Sequence, residues 1–139
     1  MKKENFKIFD LLSPKFEREN IQLGLSRVKK ALEELNDPCK NIPAIQIIGT
    51  NGKGSITAFI ENILYTEKKN IGVTTSPHLL DICERIRVNK ENINKEEFER
   101  LFKKIENDLS TLKLSPFELI LCCALVYFDF KKVDLLIFE

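Results

Sequence analysis

Hydrophobic residues recur along this chain at two spacings, which predict helices and short strands in alternation. Apolar side chains three or four positions apart predict helices at 25–35, 56–64 and 94–110, and a fourth around the apolar run 119–128. Short β-branched or apolar runs predict strands at 44–48, 71–75 and 133–139. This alternation favours an α/β fold: an open, mainly parallel sheet with flanking helices and right-handed crossovers.

Polar residues mark where two of the predicted helices begin. Asn94, with Glu97 three residues later, predicts the start of the helix at 94–110. Ser115, Pro116 and Glu118 form a clearer capping box before the apolar run. We therefore assign Glu118 a structural role.

The stretch 76–84 shows neither spacing and is predicted to be a long loop, or a loop with a short strand, before 85–88 resumes an extended pattern. Arg85 and Arg87 alternate on that extended segment and so point the same way. They would help to neutralise a phosphate or a substrate carboxylate, but a solvated strand face is the commoner place for such a pair.

The final residues 133–139, VDLLIFE, are typical of a strand buried on both faces of a parallel sheet. The strand ends in the carboxylate of Glu139. A length of 139 residues allows one domain or part of one. Because a central strand is an unusual place for a protein to stop, we interpret the chain as a fragment of a longer one.

Composition and charge exclude several classes of partner. Lys and Arg number 22 against 21 Asp and Glu, so the charge balance gives no reason to expect nucleic acid or an anionic membrane as partner. The N-terminus MKKENFKIFD has no apolar run of the kind found in secretory signals. The longest apolar run, 119–128, is shorter than the roughly 20 residues that cross a bilayer, and it is predicted to be a buried helix.

The four cysteines, Cys39, Cys83, Cys122 and Cys123, show no C-x-x-C spacing. Free cysteine is usually buried, so we expect packing thiols rather than metal ligands or disulfides. A reducing cytoplasm fits this usage best.

Residues 49–55, GTNGKGS, connect a predicted strand to a predicted helix. They depart from the usual phosphate-loop pattern G-x-x-x-x-G-K-[ST], because Ile47 stands five positions before Gly52 and Gly54 follows Lys53. The parts that a phosphate needs are nevertheless present. Lys53 supplies a mobile charge, and backbone N–H groups at the start of the helix would face an anion.

Glycines in this loop allow the backbone to turn tightly and to approach an anion; they are Gly49, Gly52 and Gly54. The alternative is a glycine-rich turn with a solvated lysine, which the strand before and the helix after make less favourable. Ser55 is either a polar residue of the first helical turn or a metal contact.

Glu139 at the end of a strand is a candidate ligand for Mg²⁺, because nucleotide phosphates need Mg²⁺ and Mg²⁺ prefers oxygen ligands. Alone, such a carboxylate would more often mark the exit of a strand to solvent. In an α/β sheet, however, it and the loop 49–55 would both lie at the carboxyl ends of strands, where ligands bind.

Five ordered motifs resemble folylpolyglutamate synthase and dihydrofolate synthase, the folate branch of the Mur ligase superfamily. They are LGLSR at 23–27, GTNGKGS at 49–55, TSPHL at 75–79 followed by ERIRVN at 84–89, SPFE at 115–118 and VDLLIFE at 133–139. The resemblance implies a P-loop NTPase-like sheet. It also implies that 1–139 is the N-terminal part of an incomplete Mur ligase ATP-binding domain, without the C-terminal glutamate-ligase domain.

The resemblance also implies site residues and cofactors. The cofactors would be ATP and Mg²⁺, and the complete enzyme would be a cytoplasmic monomer. Metal ligands would be Ser76 and Glu139, and the residues that match pterin-binding segments are Ile21, Gln22, Leu23 and Phe117. The phosphate loop would comprise Thr50, Asn51, Gly52, Lys53, Gly54 and Ser55, with Lys53 also acting in catalysis.

Phe117 and His78 each allow more than one interpretation. Phe117 would stack on a pterin, although a core phenylalanine is an equally good account. His78 is the only histidine, but the metal-binding histidine of the family lies beyond residue 139, so we expect His78 to shape its loop.

The implied reaction joins L-glutamate to dihydropteroate or to a folyl(poly)glutamate through an acyl phosphate made from ATP. Such a fragment is expected to be inactive by itself, because the remaining contacts would lie beyond Glu139. One alternative is a fragment of a peptidoglycan-type Mur ligase, against which Gly54 and LGLSR argue. The other is a non-catalytic nucleotide-binding remnant or an interaction module, which ATP binding without turnover would favour.

Overall fold

The computed structural model describes residues 24–139, so Ile21, Gln22 and Leu23 lie outside the described residues. The helices are α1 Ser26–Glu34, α2 Lys53–Thr66, α3 Lys95–Asp108 and α4 Pro116–Phe130. The strands are β1 Ala44–Gln46, β2 Ile71–Thr74, β3 Ile86–Val88, β4 Glu91–Asn92 and β5 Leu135–Phe138. Each helix and strand predicted from the sequence is present, with bounds that differ by a few residues.

The strands form one five-stranded mixed sheet in the order β1-β5-β2-β3-β4. The central strand β5 is parallel to β1 and to β2, while β3 and β4 add an antiparallel edge. The prediction of an α/β fold with a mainly parallel sheet is therefore confirmed for the part that carries the glycine loop. None of the helices in the described residues is long and apolar enough to cross a membrane.

Strand β5 is buried on both faces, as its continuous apolar sequence predicts. Leu136 belongs to the larger of two hydrophobic clusters and Ile137 to the smaller one. Successive side chains of a strand point to opposite faces, so each face of β5 meets its own cluster. Helices α1 and α3 pack on α4, which lies against β2 on the larger side.

Helix α2 covers the smaller side only in part. Ile60 and Leu64 pack against the cluster of Ile71, Val73 and Ile137. Three other members of the predicted apolar face are exposed: Ile56, Phe59 and Ile63. Helical spacing shows that these side chains share a face, but it does not show whether another element covers that face, and in the described residues the three side chains lie exposed.

Both predicted helix starts are observed, but only the one at Ser115 has the hydrogen bonds of a capping box. Ser115 and Glu118 make a complete capping box, with Glu118 N to Ser115 Oγ at 3.3 Å and Ser115 N to Glu118 Oε2 at 2.7 Å. Asn94 caps α3 by accepting from the backbone N–H of Glu96 at 2.9 Å. Glu97 is not part of that cap.

The loop after β2 contains a 3₁₀ helix, Ile82–Arg85, instead of a short strand. Asp81 caps it by accepting from the backbone N–H of Cys83 at 2.8 Å. The short-strand alternative was therefore wrong. Arg85 ends the 3₁₀ helix and does not belong to β3.

Candidate nucleotide and metal site

Three strands end at one edge of the sheet, and their register defines the candidate site. Gln46 of β1 and Thr74 of β2 both pair with Phe138 of β5. Backbone hydrogen bonds continue this register, from Ile47 N to Phe138 O at 2.8 Å and from Glu139 N to Thr74 O at 3.0 Å. The glycine loop, the Ser76 loop and Glu139 therefore leave the sheet side by side.

The glycine loop delivers the N-terminus of α2 to this edge. Gly52 adopts φ +76°, a left-handed conformation that favours glycine, and Lys53 is the first residue of the helix. No side-chain hydrogen bond caps this end in the described residues. The first N–H groups of a helix have no partner within the helix, so this uncapped end is suited to an anion.

Gly54 differs from the other loop glycines, because its backbone does not require glycine. A Cβ added there would lie 3.7 Å from Glu139 Oε2, which is an ordinary contact. The conformational need for glycine applies to Gly52 and, with φ +155°, to Gly49. The short distance at Gly54 shows that the Glu139 carboxylate lies next to the first turn of α2.

The oxygens at this edge fit a hard cation. The Glu139 carboxylate beside α2 and the hydroxyl of Ser76, two residues beyond the end of β2, are oxygen ligands of the type that Mg²⁺ prefers. No group of three His, Cys, Asp or Glu in residues 24–139 could hold a metal ion.

Ser76 and Phe117 line the same cavity of about 480 Å³, on the side of the sheet that carries α4. The lining is mostly apolar, with Thr74, Thr75 and Arg85 among its polar members. Phe117 is 51% exposed, so the core alternative for this side chain was wrong. The capping box at Ser115 fixes the start of α4 and thereby sets Phe117 at the cavity.

Arg85 and Arg87 are not on a solvated strand face, and that expectation was wrong. Arg85 is only 2% exposed, and its Nε donates to Nδ1 of His78 at 3.0 Å. Arg87 Nη2 lies 3.0 Å from Oε2 of Glu61 on α2, and the Glu61 side chain is almost fully buried. Both guanidinium groups are thus directed inward by partners that lie outside strand β3.

Glu61 and Thr75 are partners of Arg87 that the sequence did not single out. Glu61 lies within the apolar pattern of α2, and a carboxylate at such a position could have indicated a buried ion pair. Arg87 Nη1 contacts Thr75 Oγ1 at 3.4 Å and Glu84 O at 3.0 Å, so this guanidinium joins α2 to the loop after β2. Only the tertiary structure brings these segments together.

Carboxylates also hold the loop after β2. Glu84 accepts the backbone N–H groups of Leu79, Leu80 and Asp81 at 2.7 to 3.0 Å. These hydrogen bonds lower the pKa of Glu84, and the one from Leu79 has the largest effect. The hydrogen bond from the backbone N–H of Cys83 lowers the pKa of Asp81. Both side chains therefore favour the charged form that fixes the loop.

Comparisons with known proteins identify relatives of this chain. No protein-family model matches the sequence. The chain is 37% identical to dihydrofolate synthetase of Saccharomyces cerevisiae over 110 residues, which are 78% of this chain and 26% of that protein. It is 37% identical over 126 residues to the dihydrofolate synthase/folylpolyglutamate synthase of Bacillus subtilis, covering 86% of this chain and 29% of the relative.

A solved structure shows the same fold. The bifunctional folylpolyglutamate synthase/dihydrofolate synthase of Yersinia pestis, complexed with AMPPNP and a Mn ion, superposes with a TM-score of 0.81 at 33% identity. The match covers 95% of this chain and 31% of that one. The chain thus spans about a third or less of the length of these relatives. It belongs, as a homologue of part of their length, to the folylpolyglutamate synthase/dihydrofolate synthase family.

Proposed function

We propose that residues 1–139 are the N-terminal part of the ATP-binding domain of a ligase that adds L-glutamate to dihydropteroate, to folyl(poly)glutamate or to both. The observation that carries this proposal is the shared register of β1, β5 and β2. It places the uncapped N-terminus of α2, the Glu139 carboxylate and the Ser76 loop at one edge of the sheet.

The loop residues would hold the phosphates of ATP. Backbone N–H groups at the start of α2 donate to phosphate oxygens, as do those of the loop residues Thr50 and Asn51. Lys53 would balance the negative charge that develops on the transferred phosphoryl group, which makes it the catalytic residue within this chain. Gly54 and Ser55 follow in the first turn of α2, and both are exposed.

Ser76 and Glu139 would hold Mg²⁺, since one supplies a hydroxyl and the other a carboxylate next to the phosphate loop. When bound, Mg²⁺ would neutralise charge on the phosphates and orient them. The Yersinia pestis relative was crystallised with AMPPNP and a Mn ion, which supports a site for both in this family.

The cavity beside Ser76 would take the ring system of the acceptor, with exposed Phe117 stacking on a pterin. Ile21, Gln22 and Leu23 are proposed as further contacts on the strength of the family resemblance. The acceptor carboxylate attacks the γ-phosphorus of ATP and releases ADP. The amine of glutamate then attacks the acyl phosphate, losing a proton and expelling phosphate as the amide forms.

Nucleotide binding by the 139-residue chain tests this proposal directly. Calorimetric titration with AMPPNP and Mg²⁺ should show saturable binding that Lys53→Ala weakens by at least about 10-fold, since charge-assisted phosphate contacts are strong. Lys69→Ala, which removes an exposed lysine just beyond α2, should leave the affinity unchanged. Binding that survives Lys53→Ala intact would contradict the assignment of the loop.

We expect no ligation by these residues alone, because the relatives are about three times longer or more. Glutamate-dependent release of phosphate by the purified chain would contradict this expectation. In a complete ligase carrying this segment, Ser76→Ala or Glu139→Ala should raise the Mg²⁺ concentration required, and an unchanged requirement would refute the metal assignment. Four free thiols fit the proposed cytoplasmic location.

A further inference from the structure

The segment around Ser76 is held from both sides by residues 84–87. On one side, Thr75 N donates to Arg85 O at 3.3 Å, and Thr75 Oγ1 donates to Glu84 O at 3.2 Å. On the other side, His78 Nδ1 accepts from Arg85 Nε at 3.0 Å. Ser76 lies between these two attachments.

The attachment at His78 has a specific chemistry. The Arg85 guanidinium has only N–H donors, so Nδ1 of His78 is the acceptor in this bond. Its partner is a guanidinium that is almost fully buried and lines the cavity next to Ser76. The bond therefore joins the half-buried His78 of the loop to a side chain in the protein interior.

We propose that His78 is a positioning residue for the Ser76 hydroxyl, acting through its hydrogen bond to Arg85. The inference rests on the proposed function, since it gives a role to a neighbour of the proposed metal ligand. His78 does not touch the nucleotide or the metal in this arrangement. It limits the positions that residues 76–78 can adopt, so that the hydroxyl is already in place when Mg²⁺ and nucleotide arrive.

The test measures how much Mg²⁺ strengthens nucleotide binding by the 139-residue chain. AMPPNP affinity is determined by calorimetry in Mg²⁺ and in EDTA, for the unsubstituted chain and for His78→Ala, His78→Asn and His78→Gln. Asn places Oδ1 the same number of bonds from Cα as Nδ1 of His78 and can accept from Arg85. The Gln oxygen lies one bond farther out and serves as the matched control.

His78→Ala should lower the affinity in Mg²⁺ by about 10-fold, the usual size for loss of a group that orients a metal ligand, while the affinity in EDTA stays unchanged. His78→Asn should restore most of the loss and His78→Gln little of it. Thermal unfolding of each variant, measured in parallel, reports any general loss of structure, which would lower both affinities together.

Equal affinities for His78→Ala and the unsubstituted chain in Mg²⁺ would overturn the inference and leave the proposed function standing. Equal losses in Mg²⁺ and EDTA, or a failure of Asn to restore binding beyond Gln, would also overturn it, because the role would then be structural. Absence of nucleotide binding by the unsubstituted chain would overturn both the inference and the proposed function.

Discussion

Glu61 of α2 and Arg87 of β3 form an ion pair, with 3.0 Å between Oε2 and Nη2 and with both side chains largely buried. The pair connects the helix that begins in the glycine loop to the strand that follows the Ser76 loop. Arg87 also bonds to Thr75 and Glu84, so the guanidinium joins three segments of the chain.

Removing one member of this pair should destabilise the fold strongly. Glu61→Ala leaves the Arg87 charge largely buried and without its carboxylate, and such losses typically cost about 3–5 kcal/mol of unfolding free energy. Urea denaturation followed by circular dichroism measures the change. Asp129→Ala is the matched control, because its pair with Lys132 is exposed and spans 3.6 Å, and it should leave the unfolding free energy unchanged. Similar effects of the two substitutions would contradict the prediction.

Acid should destabilise the chain through three carboxylates. Burial alone would raise the pKa of Glu118, but hydrogen bonds from Ser115 and Arg27 outweigh it, and the pKa is lowered. The pKa values of Asp81 and Glu84 are lowered as well. The stability that these groups contribute is fully present above their usual values of 3.8 and 4.5, and it is lost as the pH falls through the lower folded values.

Thermal unfolding between pH 7 and pH 3 checks this expectation. The melting temperature should be nearly constant down to about pH 5 and should then fall, because the unfolded state binds more protons. Glu118→Gln should make the fall shallower, while the amide oxygen can still accept from Ser115 N. An identical pH dependence in this variant would show that Glu118 does not contribute.

Adding one methyl group to β2 should disturb the packing of α4. A Cβ at Gly72 would lie 2.7 Å from Cγ of Phe128, which is fully buried. Overpacking of this kind usually costs about 1–3 kcal/mol, so Gly72→Ala should lower the urea midpoint accordingly. The double variant Gly72→Ala, Phe128→Leu should be destabilised by less than the sum of the two single variants, because the smaller side chain makes room for the added methyl group. Strict additivity would contradict a clash between these residues.

The cysteines should react slowly with thiol reagents while the chain is folded. Burial raises the pKa of Cys39 and of Cys122 to about 11 and that of Cys83 to about 12, and it raises the pKa of Cys123 as well. Thiolate is the reactive form, so little of it is present at neutral pH. Ellman's reagent at pH 7.5 should titrate four thiols rapidly in denaturant and none at a comparable rate in buffer. Rapid reaction of any one thiol in buffer would locate a site of local opening.

The sequence by itself determined the elements and their order. Hydrophobic spacing predicts the four α-helices and the strands β1, β2, β3 and β5, although not the two-residue strand β4. The capping box at Ser115 predicts the start of α4. These signals act between residues close in the chain. The apolar run before Glu139 indicated a strand buried on both faces, and β5 is the central strand of the parallel part.

The tertiary structure alone decided what those elements contact. Spacing placed Ile56, Phe59 and Ile63 on one face of α2, but it could not show that they lie exposed. Arg85 and Arg87 looked like residues of a solvated strand, and only the meeting of segments distant in the chain gave them His78 and Glu61 as partners. Whether a polar side chain is solvated or buried depends on neighbours contributed by other segments, and local sequence patterns carry no information about those neighbours.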